Sequence, residues 1–121
     1  MTIERIQQIL SHYDFSLYGY YEKGILCGYE METWTDGGVN MIQFIDCRDS
    51  GVTVEAILSE LNEIVDDFDI DEEILKHMAS EDYRRHFTIQ NALDDFTEYK
   101  RRLKSAVFAV NHEGHPRKEL D

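Results

Sequence analysis

Phe15-Ser16-Leu17-Tyr18-Gly19-Tyr20-Tyr21-Glu22-Lys23-Gly24-Ile25-Leu26-Cys27-Gly28-Tyr29-Glu30-Met31 decides the fold class of this chain. It opens residues 15–46, which are rich in Tyr, Ile, Val, Phe and Trp with Gly-marked turns, the composition of β-strands. A three-residue loop, Glu22-Lys23-Gly24, puts Gly24 in the left-handed position such loops favour. Tyr21 then pairs with Ile25, Gly19 with Cys27, Leu17 with Tyr29 and Phe15 with Met31. One face collects Phe15, Leu17, Tyr21, Ile25, Cys27, Tyr29 and Met31, a core face. The other collects Ser16, Tyr18, Tyr20, Leu26, Glu30, Glu32 and Trp34. A two-residue loop would mix these sets, because strand side chains alternate with a period of two, so the three-residue register is preferred. Asp36-Gly37-Gly38 then turns the chain into a third strand over about Val39 to Asp46.

Outward from the strands, the spacing is helical. Ile3, Ile6, Leu10 and Tyr13 predict a first helix over about residues 3–12, with Thr2 as N-cap and Glu4 well placed in its first turn. After the strands, Val54, Ile57, Leu58, Leu61, Ile64, Val65 and Phe68 mark one apolar stripe, with Thr53 as N-cap. A short third helix is expected from about Asp71, with Ile74, Leu75 and Met78 inward. Ser80 to Phe87 is open between loop and another helical turn. A last helix is predicted from Ile89 to Val110 behind Thr88, with a stripe of Ile89, Leu93, Phe96, Leu103, Val107 and Val110. Asp94 and Asp95 sit in its first half, and Lys100, Arg101, Arg102 and Lys104 toward its C-terminal half, which suits the helix dipole. Residues 112–121 read as a flexible tail behind a single domain of residues 1–111. The expectation is an α+β fold: an N-terminal helix, a three-stranded antiparallel sheet, then three or four helices packed on one sheet face.

Charge restricts the partners. The 121-residue chain carries a formal net charge of −13, and residues 1–75 hold 17 acids against 3 bases. Residues 49–75 contain ten acidic side chains and no Lys or Arg. Such a field attracts basic surfaces and repels nucleic acid and anionic lipid, so neither direct nucleic-acid binding nor membrane binding is expected. No window approaches the roughly 18 apolar residues of a membrane span. The first residues lack the basic and apolar regions of a signal peptide, and Cys27 and Cys47 form no C-x-x-C pair. The cytoplasm is the expected compartment, with both thiols reduced.

Chemistry-bearing motifs are weak. Asp67-x-Asp69-x-Asp71 matches the first three ligand positions of a calcium loop, but position six is Glu72 rather than Gly and position twelve is Met78 rather than Glu. An inter-helix turn with an Asp cap accounts for it. His112-Glu113-Gly114-His115 lacks the i, i+4 spacing of a helical zinc motif. Cys27 falls on the core face, and the carboxylates beside Cys47 raise a thiol pKa rather than activate it. Neither a nucleophile elbow nor a phosphate-binding Gly loop is present. No catalytic residue, metal or cofactor is therefore expected, and the chain reads as a non-enzymatic binding protein. A small enzyme whose site does not show in sequence is the third alternative.

Two candidate surfaces remain. The acidic run, Glu55, Glu60, Glu63, Asp66, Asp67, Asp69, Asp71, Glu72 and Glu73, reads either as a solvated helix face or as an imitation of a phosphate track, since duplex DNA carries about one charge per 1.7 Å. Tyr18, Tyr20 and Trp34 with Glu30 and Glu32 have the composition of an interface. That face either meets a partner or a second copy, or is covered by the chain's own helices.

Three stretches carry a resemblance: Gly28-Tyr29-Glu30-Met31-Glu32-Thr33-Trp34-Thr35-Asp36-Gly37-Gly38-Val39-Asn40-Met41-Ile42, Phe68-Asp69-Ile70-Asp71-Glu72-Glu73-Ile74, and Phe87-Thr88-Ile89 leading to Asp95-Phe96. Together they resemble small acidic proteins of phages, prophages and conjugative elements of Gram-positive gut bacteria. That setting includes anti-restriction and anti-CRISPR inhibitors, some of them DNA mimics. The resemblance implies a basic partner, such as a nucleic-acid-binding host defence protein, and carries no catalytic residue across. The basic cluster from Lys100 to Lys104 departs from a uniformly acidic mimic. The alternative function is a housekeeping interaction domain that dimerises through Tyr18, Tyr20 and Trp34, its acids serving solubility.

Overall fold

The computed structural model describes residues 1–67 and 88–114. Within them run helix α1 (Ile3–His12), strands β1 (Ser16–Glu22), β2 (Ile25–Trp34) and β3 (Asn40–Asp46), and helices α2 (Val54–Asp67) and α3 (Ile89–Gly114). The three strands form one antiparallel sheet in the order β1-β2-β3. The α+β class expected from the sequence is the observed one. Among the described residues two helices follow the sheet, where three or four are predicted. The helix expected from Asp71 and the segment from Ser80 to Phe87 lie outside the described residues.

Local chemistry sets the helix starts. The Thr2 hydroxyl accepts the Arg5 N–H at 3.1 Å, that of Thr53 accepts from Ala56 at 3.1 Å, and that of Thr88 from Asn91 at 3.0 Å. Each satisfies an amide that the first helical turn leaves without a partner. Helix α1 ends in a Schellman arrangement: Phe15 N–H donates to Leu10 O and Asp14 N–H to Ser11 O, both at 3.0 Å. Asp14 occupies the left-handed position there, at φ 65°, where glycine is usual.

The hairpin register differs from the expected one. Glu22 pairs with Ile25, so the loop is the two-residue Lys23-Gly24, and both residues have positive φ, 51° and 80°. A type I′ turn requires this, and its twist matches that of the strands. Beyond the turn Tyr21 pairs with Leu26 but Tyr20 with Gly28, so Cys27 is an extra residue in a β-bulge. The bulge moves the rest of the ladder to Leu17↔Met31 and Gly19↔Tyr29, two residues from the expected pairing. A slip of two preserves side-chain parity, so the main faces stay as read. Parity breaks only between turn and bulge. Ile25, expected on the core face, is turned out and exposed, whereas Leu26, expected outside, is half-buried against the core; Tyr21 keeps its expected side, paired with Leu26, but is exposed.

All three helices bury their stripes on the inner sheet face. Tyr29, Met31, Met41 and Ile45 of the sheet meet Ile6, Ile9 and Leu10 of α1, Ile57 and Leu61 of α2, and Tyr99, Leu103, Ala106, Val107 and Val110 of α3. Tyr99, absent from the predicted stripe, is fully buried, while Leu93, included in it, is 44% exposed. Tyr99 stacks edge-on against Phe15, with ring centroids 5.9 Å apart. Burial pushes the Tyr99 phenol up to about 12, opposed by its hydrogen bond with Gln43.

Polar ties orient α3. The Asp95 carboxylate, buried, accepts from the Thr35 hydroxyl at 3.0 Å and from Gly37 N–H at 3.2 Å, fastening the β2–β3 turn. Arg102 donates to Thr33 Oγ1 at 2.7 Å, Tyr13 O at 2.9 Å and Trp34 O at 3.2 Å. Its charge is paired with Glu98 at 2.9 Å and its guanidinium lies 5.0 Å from the Phe15 ring centroid. Asn62 of α2 and Asn111 of α3 exchange amide hydrogen bonds of 3.1 and 2.8 Å. Helix α3 runs past the predicted end at Val110 as far as Gly114, and Glu113 in its last turn pairs with Arg5 at 3.0 Å. His112 and Glu113 therefore belong to the helix rather than to the expected tail.

Candidate interaction surface

Because the helices cover the inner face, alternation sends Ser16, Tyr18, Tyr20, Glu30, Glu32, Trp34, Asn40, Ile42, Phe44 and Asp46 outward. Cross-strand pairing fixes the layout. Tyr18, Glu30 and Phe44 form one row, Ser16, Glu32 and Ile42 the next, and Trp34 faces Asn40 beyond them. Tyr18 is 54% exposed, Trp34 57%, Ile42 47% and Phe44 37%. The aromatic face read from the hairpin is thus open, with carboxylates along the central strand and apolar side chains on either side.

Gly28 shapes this face. A β-carbon there would run into the Ile45 carbonyl oxygen of β3, so the bulge needs glycine at that close approach. With no side chain between them, Tyr20 and Phe44 meet across the middle strand, ring centroids 5.0 Å apart and edge-on. Arg48 closes this end: it grips Asp46 through two nitrogens at 3.0 and 2.8 Å, reaches Glu22 at 3.3 Å, and stands 5.5 Å from the Phe44 centroid. Hydrogen bonds from the Arg48 side chain and backbone hold Asp46 down at about 2. The Glu22 carboxylate beside Tyr20 raises that phenol. Cys27 is buried, as expected of a small hydrophobe, but it stands outside the core cluster, its Sγ 3.6 Å from Glu22 Oε1, because the bulge turns it toward this side.

The acidic surface is separate. On α2, Glu55, Glu63 and Asp66 are exposed and Glu60 is half-buried. Asp67 ends the helix; Asp69, Asp71, Glu72 and Glu73, and with them most of the calcium-like match, lie outside the described residues. These acids belong to the helical layer, so they do not share a plane with the outward sheet face. Cys47 is buried, and its thiol is raised first by burial and then by Glu60 and Asp46. His112 stacks on Phe108, ring centroids 3.9 Å apart. Among the described residues no group of three or more His, Cys, Asp or Glu side chains is placed to hold a metal ion, and no helix is long and apolar enough to cross a membrane.

No protein-family model matches the chain, and neither a curated protein nor a solved structure does. The surfaces must therefore be interpreted from their own chemistry.

The sequence reading missed Asn40, Ile42, Phe44 and Asp46 on the outer face, and the loop residues Asp14 and Arg48 at its ends. For Ile42 and Phe44 a signal exists. The run Met41-Ile42-Gln43-Phe44-Ile45 is apolar at both parities, the pattern of a strand buried on two faces. Asp14 and Arg48 are loop residues whose placement depends on the Schellman turn and on the end of β3.

Proposed function

We propose that the chain is a non-enzymatic binding protein that engages a basic protein surface through the outer face of its sheet. The observation that supports this best is the uncovered face itself: Tyr18, Trp34, Ile42 and Phe44 exposed around Glu30 and Glu32. Strand β3 carries the two-sided apolar pattern of a covered strand, and its outer half has no cover among the described residues. Aromatic anchors supply interface energy, and desolvated carboxylates at the centre demand Lys or Arg opposite them. A second copy fits less well, since a two-fold contact would bring the carboxylates of one central strand toward those of the other. The α2 acids and the −13 net charge then act at longer range, raising the encounter rate with a basic partner. A nucleic-acid-binding defence protein of the host has such a surface, which is where the anti-restriction and anti-CRISPR reading enters this proposal.

The test is capture of a partner from host lysate, repeated with three variants. A Tyr18→Ser, Phe44→Ser double variant and a Glu30→Lys variant should lose the captured protein. Glu55→Gln, Glu63→Gln, Asp66→Asn should slow association without abolishing it. Capture unchanged by the first two variants refutes the sheet-face reading. Loss with the α2 variant alone moves the site to the acidic helix. Concentration-dependent dimerisation by light scattering, abolished by Tyr18→Ser, Trp34→Ser, would favour the housekeeping dimer instead.

A further inference from the structure

At one end of the outer face Asp14, Ser16, Tyr18, Glu32, Thr33 and Trp34 line a cavity of about 410 Å³. We infer that this cavity receives one arginine side chain of the basic partner. The inference rests on the sheet-face reading and specifies its most directional contact.

The strand register builds the receptor. Ser16 and Glu32 are directly paired, and Tyr18 and Trp34 lie two residues further along their own strands in opposite directions. Tyr18 and Trp34 therefore stand on opposite sides of the Ser16–Glu32 row. Ser16 is small, so the floor between them stays open. Glu32 is steadied by Asn40, whose Nδ2 donates to Glu32 Oε2 at 3.1 Å. Asp14 supplies a second carboxylate from the Schellman turn, at a left-handed position that most residues avoid. The Asp14 and Trp34 backbones are held from below. Thr33 Oγ1 donates to Asp14 O at 2.7 Å, and Arg102 donates to Trp34 O. Arg102 approaches from the inner side with its charge already paired to Glu98, and Asp14 and Glu32 are the charged residues that line the cavity. A cavity lined by two aromatic and two acidic residues suits a cation, and a guanidinium suits it best. It is planar, stacks on rings, and offers forked N–H donors to a carboxylate, whereas an ammonium is a compact, strongly hydrated charge.

Trp34 is the sole tryptophan of the chain and sits in the cavity wall, so its fluorescence reports occupancy directly. The probe is argininamide, with the isosteric neutral citrullinamide and lysinamide as comparisons. Argininamide should change the Trp34 emission saturably, lysinamide should bind more weakly, and citrullinamide should be about tenfold weaker or worse, because the charge-assisted hydrogen bonds are lost. Glu32→Gln and Asp14→Gly should each weaken argininamide several-fold. Asp14→Gly should do so while its thermal midpoint stays level or rises, which a merely structural role for the carboxylate does not predict. A non-saturating response, citrullinamide binding as well as argininamide, or lysinamide binding more tightly overturns the inference. If argininamide fails while Tyr18→Ser, Phe44→Ser still abolishes capture of the partner, the receptor is wrong and the sheet-face reading stands.

Discussion

The Gly37 N–H points at the Asp95 carboxylate from 3.2 Å, and a β-carbon on Gly37 would collide with that same carboxylate. Glycine is needed there because of what α3 presents, sixty residues downstream of the turn's first hydroxyl, Thr35. Removing Asp95 strands a buried hydroxyl and a backbone N–H, so Asp95→Ala should cost about 2 kcal/mol in urea unfolding. Gly37→Ala should cost about 1–2 kcal/mol in the wild type but under about 0.5 kcal/mol once Asp95 is Ala. Additive costs in that double-mutant cycle would show that the turn and the helix are not coupled in this way.

The four cations between residues 100 and 104 are not equivalent. Arg102 is mostly buried, paired and bonded to three acceptors on the sheet side, whereas Arg101 and Lys104 are exposed. Arg102→Met should therefore destabilise by about 3 kcal/mol, since it leaves Glu98 without its partner. Arg101→Ala and Lys104→Ala should stay within about 0.5 kcal/mol. Equal, small effects at all three positions would make Arg102 an ordinary surface cation.

Among the described residues two non-glycine residues stand at positive φ, Asp14 at 65° and Lys23 at 51°. Lys23→Asn creates the Asn-Gly pair that type I′ turns prefer and should stabilise the hairpin by about 0.5 kcal/mol. Asp14→Gly should stabilise by a similar amount, about 0.5 kcal/mol, by relieving the left-handed position. Thermal and chemical unfolding of both variants measure this; destabilisation by Lys23→Asn would contradict the turn type.

The Asp46 carboxyl is held down at about 2 against an ordinary 3.8, mainly by its hydrogen bonds from Arg48. The shift is downward, so the native state binds this proton more weakly than the unfolded chain. Its stabilisation is present above about pH 4 and is lost as pH falls toward 2. Carboxyl NMR titration should place Asp46 near 2 in the wild type and back in the ordinary carboxylate range in Arg48→Ala. An unchanged midpoint in that variant would assign the shift to another cause.

Glu55, Glu63 and Asp66 are exposed on α2. Replacing them by Gln, Gln and Asn should change folding stability by under about 0.5 kcal/mol, since like-charge repulsion is relieved as solvation is lost. Association with the basic partner should slow and lose part of its salt dependence, because the screening length falls from about 10 Å at 0.1 M to about 3 Å at 1 M. Association as fast and as salt-sensitive as wild type would reduce these acids to a solvated face.

What the sequence determined by itself is what short-range chemistry controls. Thr2, Thr53 and Thr88 are legible as caps because a hydroxyl reaches an amide three residues on, whatever the rest of the chain does. The buried stripe of α2 and the parity of the main sheet faces follow from periods of 3.6 and 2. Tertiary structure decided the rest. The register moved by two because a two-residue turn and a bulge at Cys27 each shift it by one in the same direction, and no single-strand pattern records such a pair of offsets. Tyr99 and Asp95 went inward because Phe15, Gln43, Thr35 and Gly37 wait for them from distant segments. Arg102 left the basic cluster for the same reason. The acidic run was visible in composition, but the Tyr18–Trp34 receptor needed β1 and β2 paired, α1 closed at Asp14 and α3 bracing Trp34. Contacts of that kind join residues whose separation in sequence carries no information about their meeting in space.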